Sequence, residues 1–328
     1  MRNRTHLTTL LLCIAALTAG SCNEPTEDIP SPILHSELNV VRSDGSGHQI
    51  IADGGWEAIP TDSSVIFANG DFKLFRVNYD GSNLTQLYPN IPWGDHAPSP
   101  TGDRVLMASG MFESGGYLSE LYLMNPDGTN LVKLTTPKEW YTLPRISPNL
   151  EEIVFCRDGG IATTRADGTG LSFIKTKTDS TYCMYGIYVD NDNILYFEDV
   201  GSFSIMKLFN KTTRTEKFVG TKSAGTPAFT RAIVGSSLLI SDFDTIKVIN
   251  VNTAEVSKIG TGWGASFSSD GSKIVSFIGN TIYVMDASGQ NQMPIYTEKD
   301  SEKSIDSPLF SPDNKYIVFR TSWAVYSF

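Results

Sequence analysis

Short runs of apolar residues, each ended by a polar turn, follow one another along most of the chain. The clearest case is Ser307–Phe319, where Leu309-Phe310 leads into Ser311-Pro312-Asp313-Asn314 and the chain resumes with Ile317-Val318-Phe319. Proline gives a sheet no backbone donor, and Asp-Asn tolerates the positive φ of a reversal, so this stretch predicts two strands joined by a tight turn. The same phrase occurs at Phe267–Phe277. A recurring phrase of this kind indicates a repeat.

The second strand of the unit recurs seven times at a nearly regular spacing. These runs are Val65–Phe67, Val105–Met107, Ile153–Phe155, Ile194–Tyr196, Leu238–Ile240, Ile274–Ser276 and Ile317–Phe319. Their average spacing of about 42 residues lies within the ~40–45 residues of a four-stranded propeller blade. A third and a fourth strand are visible in Leu121–Thr135, where two alternating runs flank Asp127-Gly128. We therefore predict an all-β protein, a β-propeller with seven four-stranded blades.

The two ends of the repeat array complement each other. Trp323–Phe328 reads as a third strand that lacks a fourth, whereas Leu38–Ile50 precedes the first complete unit and has the pattern of outer strands. A ring that joins its ends leaves no long exposed strand edge. We therefore expect the N-terminal segment to complete the last blade, with either one strand or two.

The repeat also carries a family resemblance. Phe-Ser-Pro-Asp-(Gly/Asn)-x-x-Ile-x-Phe followed by Ile-Tyr-x-Met-(Asn/Asp)-x-x-Gly resembles the repeat of TolB-type, WD-like β-propellers. The match is close at Ser99–Gly102, Ser147–Asn149 and Ser311–Asp313, and it is weak in the first, fourth and fifth units. Because the propeller of TolB has six blades, six blades is the alternative to seven. The resemblance implies protein–protein contacts in the cell envelope, although a fold alone does not fix function.

The N-terminus has the pattern of a secretory signal peptide over residues 1–21. Arg2 and Arg4 precede the apolar stretch Leu7–Leu17, which is too short to remain as a membrane span. Because Cys22 follows directly, Ala19-Gly20-Ser21-Cys22 resembles a bacterial lipobox. This resemblance implies that Cys22 is acylated, for example with palmitate, and becomes the mature N-terminus. Ordinary signal cleavage is the alternative.

Residues 22–36 are acidic and rich in proline, so they predict a flexible tether, and residues 37–328 then form a single propeller domain. The acidic run after Cys22 also resembles the surface-export signals of Bacteroidetes lipoproteins, a pattern that a plain solvated linker meets equally well. The expectation is an outer-membrane lipoprotein that touches the membrane through its lipid anchor alone. Periplasmic and surface-exposed locations are both open.

Charge and cysteine content narrow the partners and the redox chemistry. Loss of the signal peptide removes Arg2 and Arg4 and no acidic residue, which takes the formal charge from −10 to −12. Such a surface repels phosphate backbones, so nucleic acid is not expected as a partner. Outside the signal peptide and Cys22, the cysteines are Cys156 and Cys183. An envelope compartment permits a disulfide between them, but two buried free thiols are favoured.

The two faces of a propeller differ in their connections. The turns between strands one and two and between strands three and four share one face, the turn face; the other connections share the opposite face, the mouth face. Aromatic residues are concentrated where the chain enters inner strands from the mouth face, and the longest loop, Ser109–Tyr117, is expected to overhang the channel there. The candidate ligand-binding residues are Trp56, Trp93, Asp95, His96, Trp140, Tyr141, Tyr182 and Trp263, with Glu57 and Glu139 as further polar contacts.

These residues support two hypotheses about function. The first is a non-catalytic binding or scaffold module that holds an envelope protein or glycan on an aromatic platform; its structural alternative is that each Trp is a wedge between blades. The second is an envelope carbohydrate-active enzyme, a hydrolase or lyase with its site in the central funnel. The sequence lacks Gly-x-Ser-x-Gly, His-x-x-x-His, Cys-x-x-Cys and a P-loop. It therefore assigns no catalytic residue, no metal ligand and no cofactor.

Overall fold

The structure is a computed structural model that describes residues 33–71, 73–88, 95–99, 102–113, 116–135, 139, 141–178, 182–223, 233–242 and 244–325. For residues 96, 111–113, 116, 117 and 223 it describes the backbone alone. Leu34–Ala324 form one compact unit, which contains the whole ring. Among the described residues there is no helix with the length and apolarity to span a bilayer.

The described residues form 28 strands, arranged as seven four-stranded antiparallel sheets. The strands before the first complete blade are β1 (Ile33–Arg42) and β2 (Gln49–Asp53). Blade 1 contains β3 (Trp56–Pro60), β4 (Ser64–Ala68), β5 (Leu74–Asn78) and β6 (Thr85–Gln86). Blade 2 contains β7 (His96–Pro98), β8 (Val105–Glu113), β9 (Gly116–Met124) and β10 (Val132–Lys133). Blade 3 contains β11 (Tyr141–Ile146), β12 (Glu152–Arg157), β13 (Gly160–Arg165) and β14 (Ser172–Lys175).

The second half of the chain continues the same pattern. Blade 4 contains β15 (Tyr182–Tyr188), β16 (Asn193–Asp199), β17 (Phe203–Asn210) and β18 (Thr215–Ser223). Blade 5 contains β19 (Ile233–Val234), β20 (Ser237–Asp242), β21 (Thr245–Asn250) and β22 (Val256–Thr261). Blade 6 contains β23 (Trp263–Phe267), β24 (Lys273–Ile278), β25 (Thr281–Asp286) and β26 (Met293–Thr297). The last two strands are β27 (Ser304–Phe310) and β28 (Tyr316–Val325). The prediction of seven four-stranded propeller blades is confirmed.

The seventh blade is built from both ends of the chain. Its strand order is β2-β1-β28-β27, so the N-terminal segment supplies the two outer strands and the expected ring closure is confirmed. The expectation of a third strand starting at Trp323 is wrong, because Trp323–Val325 continue β28 and β1 occupies the third position. Strand β1 begins at Ile33, inside the segment 22–36 that the sequence assigned to the tether.

Side chains from β1 fasten the two ends of the chain together. The Lys303 ammonium lies 2.6 Å from a carboxylate oxygen of Glu37, and Asn39 donates a hydrogen bond of 2.9 Å to the Thr321 hydroxyl. Asn39 is buried, so this polar group needs its partner to offset the loss of water. The closing seam is therefore both apolar and hydrogen-bonded.

The hydrophobic core consists of seven separate layers between neighbouring blades. Each of the seven clusters of buried side chains takes its members from two adjacent blades, and together the clusters join blades 1/2, 2/3, 3/4, 4/5, 5/6, 6/7 and 7/1. The second strand of each blade contributes to the layers on both of its sides. In β4, for example, Val65 and Phe67 face blade 7 whereas Ile66 faces blade 2. This two-sided burial explains why the second strands are continuous apolar runs.

Glycines in the turns on the turn face let neighbouring blades approach closely. Gly168 and Gly289 occupy the same place in the turn between the third and fourth strands, with φ of 83° and 82°. A Cβ atom on Gly168 would lie 2.1 Å from the carbonyl oxygen of Leu134 in blade 2, and one on Gly289 would lie 1.9 Å from that of Ile259 in blade 5. The turn therefore contacts the outer strand of the preceding blade through bare backbone. Gly168 and Gly289 thus have a structural role where neighbouring blades meet.

Cys156 and Cys183 are free thiols, buried in the layer between blades 3 and 4. Burial raises the pKa of Cys156 to about 11 and that of Cys183 to about 12. Because the thiolate is the reactive form, both groups behave as small apolar side chains in the folded protein.

The interblade role of the turn glycines is testable by substitution. We expect Gly168→Ala and Gly289→Ala each to lower the free energy of unfolding by about 2–4 kcal/mol, because the new methyl group meets backbone of the neighbouring blade. Gly279 is the matched control, since it has a φ of 55° and no heavy atom within 4 Å of its Cβ position. Gly279→Ala should cost about 1–2 kcal/mol from backbone strain alone. Equal losses for all three variants in guanidinium unfolding would contradict the close approach.

Candidate functional site at the channel mouth

The inner strands of five blades share an irregularity close to the mouth face. In each, two consecutive residues of the inner strand lie opposite a single residue of the second strand, and the ladder leaves them unpaired. This arrangement is a β-bulge. The first skipped residue has positive φ in every case: Glu57 (45°), Leu143 (52°), Tyr185 (57°), Gly264 (60°) and Ser307 (52°). Bulges re-aim side chains at barrel and propeller rims, so five blades change side-chain direction at the same level of the central channel.

Four charged or polar residues from four successive blades come together in this part of the channel. They are Glu57 of blade 1, Asp95 just before the inner strand of blade 2, Arg145 of blade 3 and Tyr185 of blade 4. Burial lowers the pKa of Arg145, and the charges of Asp95 and Glu57 oppose that shift. Burial also raises the pKa of Tyr185 to about 12, with Cys156 and Asp95 adding to the effect. We call these four residues the channel cluster.

The channel cluster is held by backbone hydrogen bonds as well as by charge. Oδ2 of Asp95 accepts a bond of 3.1 Å from the backbone N–H of Leu143, which links blade 2 to the bulge of blade 3. Arg145 donates from Nη1 to the carbonyl oxygen of Pro144 at 2.8 Å. The charges of Asp95 and Glu57 thus both act on Arg145, and the hydrogen bond to Leu143 ties Asp95 to the neighbouring blade.

Trp56 contacts the neighbouring blade. The guanidinium carbon of Arg320 lies 3.6 Å from the centre of the Trp56 ring, a cation–π contact between blades 7 and 1. Arg320 is 7% exposed and forms a forked pair with Asp306, its partner across the strands. Trp56 therefore stabilises the junction of two blades, which matches the wedge alternative at this position.

Trp263 has a different environment, although it stands at the same place in its blade. Its side chain is 43% exposed. Gly262 and Gly264 flank it, and a Cβ on Gly264 would lie 2.8 Å from the Phe277 ring. The residue that ends the paired strand, Ile278, is also exposed. Among the tryptophans whose side chains are described, Trp263 presents the largest exposed surface to a ligand.

Tyr141 belongs to the core rather than to the surface. It is 4% exposed, its ring packs edge-on against Phe155 at 5.5 Å, and its hydroxyl lies 3.4 Å from Glu139. Glu139 forms an ion pair with Arg157, whose guanidinium lies 5.8 Å from the Tyr141 ring centre. These groups line a cavity of about 300 Å³ between blades 2 and 3, with Leu134 and Leu171 as apolar walls.

The remaining predicted residues are placed as follows. Tyr182 is half-buried beside Gly159, and burial raises its pKa to about 12. For His96 the backbone alone is described; it pairs with Met107. Trp93 and Trp140 lie outside the described residues, as does Cys22. Within the described ranges, no three His, Cys, Asp or Glu side chains are arranged as metal ligands.

Ser109–Glu113 and Gly116–Tyr117 belong to paired strands rather than to the loop that the sequence predicted. Strands β8 and β9 pair without interruption from Val105↔Met124 to Glu113↔Gly116. Backbone pairing therefore extends blade 2 beyond its neighbours on the mouth face. Trp323, which the sequence assigned to the start of a third strand, stacks on His35 at 5.4 Å and lies under the Lys303 ammonium at 4.5 Å.

No protein-family model matches the chain, and no curated protein matches it in sequence. Solved structures do match its fold. An oligogalacturonate lyase in complex with manganese superposes with a TM-score of 0.58 at 11% identity, over 89% of this chain and 91% of that chain. A puromycin-hydrolyzing peptidase from Mycobacterium tuberculosis has a TM-score of 0.58 at 14% identity, over 76% of this chain and 46% of that chain.

TolB from Acinetobacter baumannii is also among the structural neighbours, with a TM-score of 0.48 at 15% identity, over 89% of this chain and 64% of that chain. The neighbours thus include enzymes as well as TolB proteins, and at these identities they define the fold alone. The chain is a seven-bladed β-propeller. Its function is argued from the channel mouth.

Trp56 and Trp263 together test whether these tryptophans form a binding platform or act as wedges between blades. We expect Trp56→Ala to lower the free energy of unfolding by about 2 kcal/mol or more, because it removes the Arg320 contact between blades. Trp263→Ala should lower it by no more than about 1 kcal/mol, because Trp263 is 43% exposed and buries less surface than a core residue. Guanidinium unfolding followed by circular dichroism measures both. A loss at Trp263 as large as that at Trp56 would make Trp263 a wedge as well.

Proposed function

We propose that this protein is a non-catalytic, lipid-anchored β-propeller of the cell envelope that binds a protein or a glycan at its mouth face. The observation that carries the proposal is the combination of an exposed Trp263 at the rim with the channel cluster deeper in the ring. Binding sites combine apolar or aromatic surface with a few fixed polar groups, and rigid rings commonly carry them. An indole offers a flat face to a sugar ring or to an apolar side chain.

The polar groups of the mouth favour binding over bond cleavage. Asp95 already accepts a backbone hydrogen bond, and both Asp95 and Glu57 lie near the guanidinium of Arg145. Carboxylate oxygens held in this way accept hydrogen bonds from the hydroxyl or amide donors of a ligand. General-acid catalysis at a glycosidic bond would need a carboxyl group in an environment that favours its neutral form.

The proposed anchor places the mouth close to a bilayer. Strand β1 is the third strand of its blade and runs toward the turn face, so the chain enters the ring from the mouth face. If Cys22 is acylated, the chain between it and Leu34 reaches at most ~40 Å when fully extended. The partner we propose is therefore an envelope component at the membrane surface.

Ligand screening with a matched pair of variants tests the binding site. Glycan and peptide arrays should yield a ligand that the protein binds without altering it, as shown by analysis of the recovered ligand. We expect Trp263→Ala to weaken that binding about tenfold or more. Phe218→Ala is the control, since Phe218 is 59% exposed but lies on the outermost strand of blade 4. Cleavage of the ligand would favour the alternative hypothesis of a carbohydrate-active enzyme. Binding by Trp263→Ala as strong as that of the unaltered protein would show that the ligand does not bind at Trp263.

The lipid anchor is tested separately by fractionation. In a bacterial host that processes lipoproteins, we expect the unaltered protein in the membrane fraction and Cys22→Ser in the soluble envelope fraction. Acylation supplies an apolar chain that inserts into the bilayer, so loss of the single lipidated residue accounts for the difference. Equal partition of both forms into the membrane fraction would contradict the anchor without affecting the binding site.

A further inference from the structure

A second site lies on the opposite end of the ring, where blades 3 and 4 meet near the turn face. It is a cavity of about 240 Å³. Its walls come from the end of β13, the start of β14 and the turn after β17. Its charged and hydroxyl-bearing lining includes the side chains of Arg165, Lys211, Arg214, Thr163, Ser172 and Glu152. None of them belongs to the channel mouth.

The cavity concentrates positive charge in an acidic protein. Three cations line it, against the single carboxylate of Glu152, in a chain with a formal charge of −10. Lys211 is neutralised by an ion pair with Glu152. In the part of the chain that the structure describes, neither Arg165 nor Arg214 forms an ion pair with a carboxylate. Lysines and arginines elsewhere on the ring do form such pairs. Within the described residues both guanidinium groups are therefore free of ion pairs, although the positive charge of Arg165 helps to lower the pKa of Asp167.

The nearby acids are already satisfied by other donors. Oδ1 of Asp167 accepts hydrogen bonds from the backbone N–H of Thr169 at 2.8 Å and from its hydroxyl at 2.7 Å. Glu152 accepts from the Tyr188 hydroxyl at 3.3 Å in addition to its pair with Lys211. These bonds occupy oxygens of both carboxylates, and within the described residues neither carboxylate forms an ion pair with Arg165 or Arg214.

Both arginines are exposed side chains that line the cavity, and each lies against one neighbour. The stem of Arg165 packs on the turn at Gly170, where a Cβ would lie 3.7 Å from both Cγ and Cζ of the arginine. The Arg214 guanidinium lies 5.9 Å from the centre of the Phe209 ring. Thr163 and Ser172 are directly opposite each other in the ladder, which sets two hydroxyl groups on one wall.

We propose that this cavity binds a tetrahedral oxyanion, a phosphate or sulfate group, between Arg165 and Arg214. Guanidinium groups match such anions because they donate two parallel hydrogen bonds, and hydroxyl groups supply further donors. The volume is below the ~300–1,000 Å³ of sites for larger ligands, so it suits a small anion or a charged substituent whose remainder extends into solvent. Because the proposed anchor is attached at the opposite face, we assign the anion to a phosphorylated sugar rather than to a lipid headgroup.

Titration calorimetry with inorganic phosphate tests the site on the purified protein. We expect saturable binding that weakens as potassium chloride is raised, because both partners are charged. Arg165→Ala and Arg214→Ala should each lower the affinity about tenfold or more. Lys315→Ala is the control, because this exposed residue lies on the same face and pairs with Asp313 at 3.0 Å. Thermal unfolding of each variant confirms that the ring is intact.

Two results would overturn the proposal. One is the absence of saturable phosphate binding up to about 10 mM, where even a weak site is detected. The other is binding that Arg165→Ala, Arg214→Ala and Lys315→Ala leave equally strong, which would place the anion elsewhere. To identify the source of the anion, glucose 6-phosphate and vesicles containing phosphatidylglycerol are compared. Competition by the sugar phosphate supports the assignment, whereas vesicle binding that needs both arginines would overturn it.

Discussion

Each blade of this protein buries apolar side chains on both of its faces, and only another blade can cover them. The clusters of buried residues reflect this constraint, since every one joins two adjacent blades. An open array of such units would expose one face at each end and would need capping segments. The ring avoids caps because β1 and β2 complete the seventh blade, where Leu38 and Val40 pack with Phe67 of blade 1. The mouth, the turn face and both proposed sites depend on that closure.

Closure also makes locally unfavourable backbone tolerable where side chains meet ligands. Leu143 and Tyr185 have positive φ, a conformation that costs about 1–3 kcal/mol for residues with side chains. The surrounding ladders and interblade layers hold these residues in place. The benefit is geometric, because the bulges bring Glu57, Arg145 and Tyr185 of three different blades to one level of the channel.

The repeat, the blade count and the ring closure were predictable because buried strands keep the same apolar run in every copy. The turns were predictable because glycine is required where the backbone of one blade touches the next, as at Asp167-Gly168 and Ser288-Gly289. The bulges were not predictable from pattern, since Leu143, Tyr185 and Ser307 carry no mark of a positive φ. Pro144 and Pro308, each directly after such a residue, are the one sequence signal, because a skipped position needs no ladder donor. The environment of each tryptophan was also not predictable from the sequence. Trp56 contacts Arg320, which comes from the far end of the chain, whereas Trp263 is exposed.

The closing seam has a consequence for the order in which the protein folds. Glu37 contacts Lys303 and Thr321 across 266 and 284 residues, so these contacts have a sequence separation close to the length of the chain. Blades 1 to 6 are continuous in sequence and assemble from local hairpins, which close quickly. Strands β1 and β2 are synthesised first and pair with each other, but β1 lacks its second neighbour until β28 emerges. Until then the free edge of β1 and an uncovered blade face are exposed, and in this form the chain is most open to mispairing with a second copy.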